Sequence, residues 1–189
     1  MRRRRQLVPR LALALVGLLM VGTATLLVVV FGGLSHYVAD GPAMEPTLPH
    51  GTHFLLARTW LVGAPEPGEV AVFADPANGI EIIKRVVAAG GQMVEIRAGQ
   101  VYVDGQPLGR GETRCPTEFA EERRCDREQL GERFWITTLS PLSAPEDVDP
   151  VHVPAGCVYA LGDHRDRSTD SRHEGPICAQ RFVGTLVLP

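Results

Sequence analysis

The chain has 189 residues, 44% hydrophobic and 22% charged, with a formal net charge of −3. That is room for one membrane segment and one domain with its own core. Five of the 19 basic residues precede Leu11, so the remainder carries 14 basic against 22 acidic side chains, a formal −8; such an acidic domain argues against a nucleic-acid partner.

Residues 1–10 hold Arg2, Arg3, Arg4, Arg5 and Arg10 and no acid. Leu11 to Leu34 then runs for 24 residues without a charge, long enough to cross a hydrocarbon core as a helix. A cleaved signal peptide has an apolar region of only about 7–15 residues, so the run reads as an uncleaved transmembrane anchor over 11–34. The preceding arginines put residues 1–10 in the cytoplasm and residues 35–189 in an extracytoplasmic domain on the periplasmic side. A partner is thereby implied in the lipid bilayer itself.

Just past the anchor stands GPAMEPTL, Gly41 to Leu48, a turn-forming segment stiffened by Pro42 and Pro46. Short strand-like runs follow: Phe54–Ala57, Glu69–Phe73, Ile80–Val87, Met93–Ile96, Gln100–Val103, Cys157–Leu161 and Phe182–Leu188. Asp104-Gly105 is a hairpin signal. Apart from the anchor, only Pro116–Leu130 looks helical. The expected fold is mostly β, with packed antiparallel sheets in one domain behind a single N-terminal transmembrane helix. Residues 109–150 are rich in Arg and Glu and read as an insertion held by a disulfide.

The four cysteines, Cys115, Cys125, Cys157 and Cys178, all follow the anchor. An even count in an oxidising compartment suggests two disulfides. Three pairings are possible, and Cys115–Cys125 with Cys157–Cys178 closes the shortest loops. Zinc would compete for them, but no Cys-x-x-Cys or His-x-x-x-His spacing supports it, and no metal is expected.

Of the 19 Lys and Arg residues 18 are arginine, and the single lysine is Lys84, inside the apolar run Ile80–Val87. Lysine can lose its proton when desolvated and then act as a base, whereas arginine cannot. A strand-edge lysine in solvent is the plainer alternative, and composition leaves both open. A lysine base needs a nucleophile and an orienting group. The polar loop Gly162–Arg172 offers Ser168 or Ser171 to hydrogen-bond the amine, with Asp170 and Arg172 placed to brace it. His164 and His173 raise a Ser-His-Asp alternative, but the chain has no Gly-x-Ser-x-Gly elbow.

Taken in order, the anchor, GPAMEPTL, PEPGEVAVF with IIKRVVAAGGQ, and LGDHRDRSTDSRHEGPI resemble the motifs of the type I signal peptidases, membrane-anchored serine–lysine proteases. The resemblance implies a serine endopeptidase that removes signal peptides from exported preproteins. It also implies a substrate bound as an added strand, small residues at the first and third positions before the cut, no cofactor, and a monomer. It places the nucleophile at Ala43, the base at Lys84, the lysine-positioning serine at Ser168 and the loop brace at Asp170 and Arg172. Gly41 stands where many members carry a second serine, so the oxyanion region would be built from backbone at Gly41 and Ala43. His164 replaces the usual asparagine.

Ala43 has no oxygen with which to attack a carbonyl. Either an engineered serine-to-alanine change has silenced a protease, or the chain is a natural signal-peptide-binding pseudoprotease. Retention of Lys84, Ser168, Asp170 and Arg172 favours the first. A specialised peptidase of the same family that processes conjugative pilin is the nearest functional alternative. Thr47 is not expected to stand in as nucleophile, because the turn aims it elsewhere.

Overall fold

The computed structural model describes residues 4–75, 78–116 and 123–188. It divides into two compact units, one ending at Ser35 and the other beginning at His36. The first is a single helix, α1 (Arg4–Gly33). Among the described residues it is the one helix long and apolar enough to span a membrane, over Ala12–Gly33 with mean hydropathy 2.6. Its side chains from Ala12 to Val28 are exposed all round.

The second unit is built of antiparallel strands. A seven-stranded sheet runs in the order β1 (Leu34–Val38), β2 (His53–Arg58), β14 (Phe182–Leu188), β3 (Val70–Ala74), β4 (Glu81–Ala89), β12 (Cys157–Leu161) and β13 (Ile177–Cys178). A four-stranded sheet has the order β11 (Val148–His152), β5 (Met93–Arg97), β6 (Gln100–Val103) and β7 (Gln106–Pro107). A three-stranded sheet joins β10 (Arg133–Leu139), β9 (Arg124–Leu130) and β8 (Gly109–Thr113). Two short helices, α2 (Thr59–Val62) and α3 (Ser171–Glu174), complete the unit.

Alternation on β3 explains its unbroken apolar run. Val70 and Val72 enter a core with Met44, Leu48, Phe54 and Leu56, while Ala71 and Phe73 enter a second core with Val86, Ala160 and Ile177. A strand covered on both faces needs no polar side. Asp104 and Gly105, at φ 51° and 75°, make the two-residue turn between β6 and β7, the left-handed pair that such hairpins require.

Of the helix expected over Pro116–Leu130, the described C-terminal half is a strand instead. Arg124–Leu130 is strand β9, paired with β10 from Arg124↔Leu139 to Leu130↔Arg133; residues 117–122 lie outside the described residues. The apolar alternation of a strand is missing there because the inward positions are carboxylates. Asp126 and Glu128 are buried and neutralised by Arg110 and Arg165, each at 2.5 Å. β8, β9 and β10 thus form a sheet of their own, yet Trp135 joins the same core as Val94, Tyr159 and Leu161. The disulfides join Cys115 to Cys125 and Cys157 to Cys178. The second links β12 to β13 at the base of the loop that carries residues 162–175.

Candidate active site

The turn Gly41–Leu48 is pinned at its far end by Met44 and Leu48, 3% and 0% exposed. Its backbone closes on itself through Glu45 N–H to Pro42 O at 3.1 Å and Leu48 N–H to Met44 O at 2.9 Å. Neighbours then occupy its outward carbonyls. The His164 N–H donates to Ala43 O at 3.1 Å, the His164 ring Nδ1 lies 3.2 Å from Pro42 O, and the Thr138 hydroxyl donates to Glu45 O at 3.3 Å. Thr47 Oγ1 donates to Asp163 Oδ2 at 2.5 Å, so its hydroxyl is turned to that carboxylate. Gly41, at φ +87°, takes a conformation that suits glycine. Its N–H is committed to His50 Nδ1 at 3.1 Å. Among the described residues, no acceptor is paired with the Ala43 N–H.

Lys84 lies on β4 opposite Ala71 of β3 and is 4% exposed. Burial drives its amine below the ordinary lysine range; Asp170 and Glu174 pull the other way, and Arg172 adds to the lowering. β4 has a particular pairing pattern. β3 covers one edge from Glu81 to Arg85, whereas β12 covers the opposite edge only from Arg85 onward. Among the described residues, Glu81 to Lys84 therefore leave a stretch of sheet edge without a strand on the β12 side. That stretch lines a groove whose other side includes Tyr37, Val38, Gly41 and Ala43.

The loop after β12 is held by Asp170 and Arg172. Arg172 Nε and Nη2 reach Asp170 Oδ1 and Oδ2, both at 2.8 Å, and Asp170 Oδ2 also accepts the Gly162 N–H at 2.9 Å. Burial alone would raise the Asp170 pKa; the bond to Arg172, its charge and the Gly162 N–H together leave it below the usual carboxyl value. Arg172 further donates to Glu146 at 2.7 Å, Arg165 O at 2.6 Å and Ser168 O at 3.3 Å. Ser168 Oγ is buried without a hydrogen-bond partner at ordinary length, though near enough to Asp170 to help keep it ionised. A Cβ on Gly162 would collide with the Ser168 side chain and stand 2.7 Å from Ala43 O. Glycine at 162 is what lets the serine loop and the Ala43 turn come this close.

Ala43 and Lys84 thus line one groove, Ser168 meets the Ala43 carbonyl across Gly162, and Asp170 with Arg172 fix the Ser168 loop. Ser171 Oγ instead accepts the Ala160 N–H at 3.0 Å. His164, which a polar loop would leave in solvent, is 2% exposed. Burial lowers its pKa first, the Arg123 charge second, while Asp166, the Pro42 carbonyl and Glu45 oppose this. Sequence reasoning gave no role to Asp163, Arg85, Glu45 or Thr138. The only written signal was that Arg85 follows Lys84 directly and Asp163 sits inside the loop motif.

Fold and groove together define an antiparallel β protein with an apolar N-terminal helix and a buried lysine at an open sheet edge. The chain belongs to the signal peptidase, peptidase S26 family, whose pattern it matches over residues 10–189. It is 26% identical over 151 residues to signal peptidase I of Bacillus licheniformis, covering 79% of this chain and 72% of that protein. Over 157 residues it is 28% identical to thylakoidal processing peptidase 1 of Arabidopsis thaliana, covering 77% of this chain and 38% of that protein. A solved signal peptidase I from Enterococcus faecalis V583 is 26% identical, with TM-score 0.43, over 66% of this chain and 97% of that one.

Proposed function

We propose that this chain is a membrane-anchored signal peptidase in which alanine stands at the position of the nucleophilic serine. The observation that carries the reading is the buried amine of Lys84, depressed by desolvation and lining the same groove as Ala43. With a serine hydroxyl at position 43, neutral Lys84 takes its proton as the oxygen bonds to the scissile carbonyl carbon. The unpaired Ala43 N–H is a donor for the developing oxyanion. As the C–N bond breaks, Lys84 returns the proton to the leaving amine, and water then hydrolyses the acyl-enzyme. The family resemblance gives Ser168 the task of orienting the amine, and Asp170 with Arg172 hold its loop.

The substrate is the signal peptide of an exported preprotein, bound extended along the open edge Glu81–Lys84, where its main chain completes the missing ladder. α1 holds the domain at the bilayer from which such a cleavage site emerges. The intact surroundings of Ala43 favour a silenced protease over a protein that evolved only to bind.

The test is Ala43→Ser in the full chain in detergent, incubated with a preprotein. Cleavage at the signal-peptide junction is expected, and Lys84→Ala in that background abolishes it. A folded Ala43→Ser chain that binds signal peptides without cutting them would establish the binding-only alternative.

A further inference from the structure

We propose that Arg123 is a positioning residue for the Ala43 turn, seated there by the Cys115–Cys125 disulfide; this rests on reading position 43 as the nucleophile site. Glu45, two residues beyond Ala43, is gripped at two points, by the residue just before β9 and by one on β10. Arg123 Nη1 meets Glu45 Oε2 at 2.7 Å, with the side chains only 18% and 11% exposed. Thr138, on the neighbouring strand, donates its hydroxyl to Glu45 O. The two grips share one frame, because Thr138 pairs across the ladder with Cys125 and Cys125 is covalently joined to Cys115.

The cluster continues to the histidine that holds the turn. Glu45 Oε2 lies 3.5 Å from His164 Nδ1, and His164 Nε2 lies 3.3 Å from Asp166 Oδ1. Asp166 is in turn fixed by Ser143 Oγ at 2.7 Å and the Ser140 N–H at 3.1 Å. Removing Arg123 leaves the Glu45 carboxylate buried without its guanidinium. It then competes for His164, whose N–H and ring hold the Ala43 and Pro42 carbonyls. Loss of Arg123 is therefore felt as displacement of the turn. Small misplacements of reacting groups, caused by changes outside the chemistry, can cost on the order of 100-fold in rate.

Amide hydrogen exchange on the full chain in detergent gives a readout independent of activity. In Arg123→Ala, the Glu45 and Leu48 amides of the turn should exchange roughly tenfold faster while β3 and β4 are unchanged. Cys115→Ala/Cys125→Ala should reproduce the effect, and the charge swap Glu45→Arg/Arg123→Glu should reverse most of it. In the Ala43→Ser background, Arg123→Ala should lower kcat roughly tenfold or more with KM little changed. Unchanged turn exchange, equal acceleration everywhere, or no effect of removing the disulfide would overturn the proposal. An Ala43→Ser chain without turnover would count against the peptidase reading, and the exchange data would still decide the role of Arg123.

Discussion

Arg85 closes on Asp163 with both ends of its guanidinium, Nε to Oδ1 at 2.8 Å and Nη2 to Oδ2 at 2.6 Å, and the side chains are 8% and 1% exposed. The pair ties together pieces that meet nowhere in sequence. Arg85 is on β4 beside Lys84, Asp163 opens the Ser168 loop, Thr47 of the Ala43 turn shares the carboxylate, and Arg85 stacks 4.7 Å over the Trp135 ring.

Asp163→Asn should therefore unfold the second unit easily. It leaves a buried guanidinium without its counter-charge, a loss of about 3–5 kcal/mol, read as a lower denaturation midpoint at unchanged m-value. A loss below about 1 kcal/mol would show the pair to be peripheral.

Lys84 makes a signed prediction about pH. Its pKa is lowered in the folded chain, so between that value and the ordinary lysine value the unfolded state binds the extra proton, and stability rises with pH across that window. Below the folded value the buried ammonium is an unrelieved cost. Lys84→Met should flatten this slope and stabilise the chain on its acid side, as followed by thermal unfolding across neutral to alkaline pH. In the Ala43→Ser background, turnover should climb as Lys84 deprotonates, at a pH below the ordinary lysine range. Lys84→Arg should be inactive at every pH, because arginine keeps its proton. A slope that survives Lys84→Met would assign the titration to another group.

The strands were legible because their chemistry is local. Val70–Phe73 and Ile80–Val87 carry branched apolar side chains between turn residues, and Asp104-Gly105 closes a hairpin by its own backbone preference. Lys84 stood out because every other basic residue is an arginine. β9 was illegible for the opposite reason: Asp126 and Glu128 point inward, and their shortest ion pairs are with Arg110 and Arg165 from elsewhere in the chain. The same holds for Glu45 and His164, whose burial depends on Arg123 and Thr138, 78 and 93 residues beyond Glu45. Pairing across such distances leaves no periodicity to read. The open edge of β4 is likewise a property of where β12 stops pairing, not of any residue in β4.

Gly162→Ala tests the closeness of the serine loop to the Ala43 turn. The added Cβ meets Ser168 Oγ and Cβ and stands 2.7 Å from Ala43 O, and Ser168 is itself buried. Either the loop or the turn has to move. In the Ala43→Ser background activity should fall on the order of 100-fold, with overpacking of about 1–3 kcal/mol in stability. Near-normal activity would mean that the two segments do not act together.

Arg172→Lys separates a fork from a point charge. The guanidinium serves Asp170 twice and also Glu146, Arg165 O and Ser168 O, a set of directions that one ammonium cannot match. The expected loss is about 2 kcal/mol or more, since Asp170 stays buried beside a poorer partner. The pH dependence gives the second reading. Asp170 is held below the usual carboxyl value, so its contribution is present above the unfolded carboxyl range and is lost as pH falls through the folded value. With lysine at 172 the folded value rises, and acid unfolding should begin at a higher pH than in the parent chain. An acid transition that does not move in Arg172→Lys would show that the Gly162 N–H, not the guanidinium, keeps Asp170 ionised.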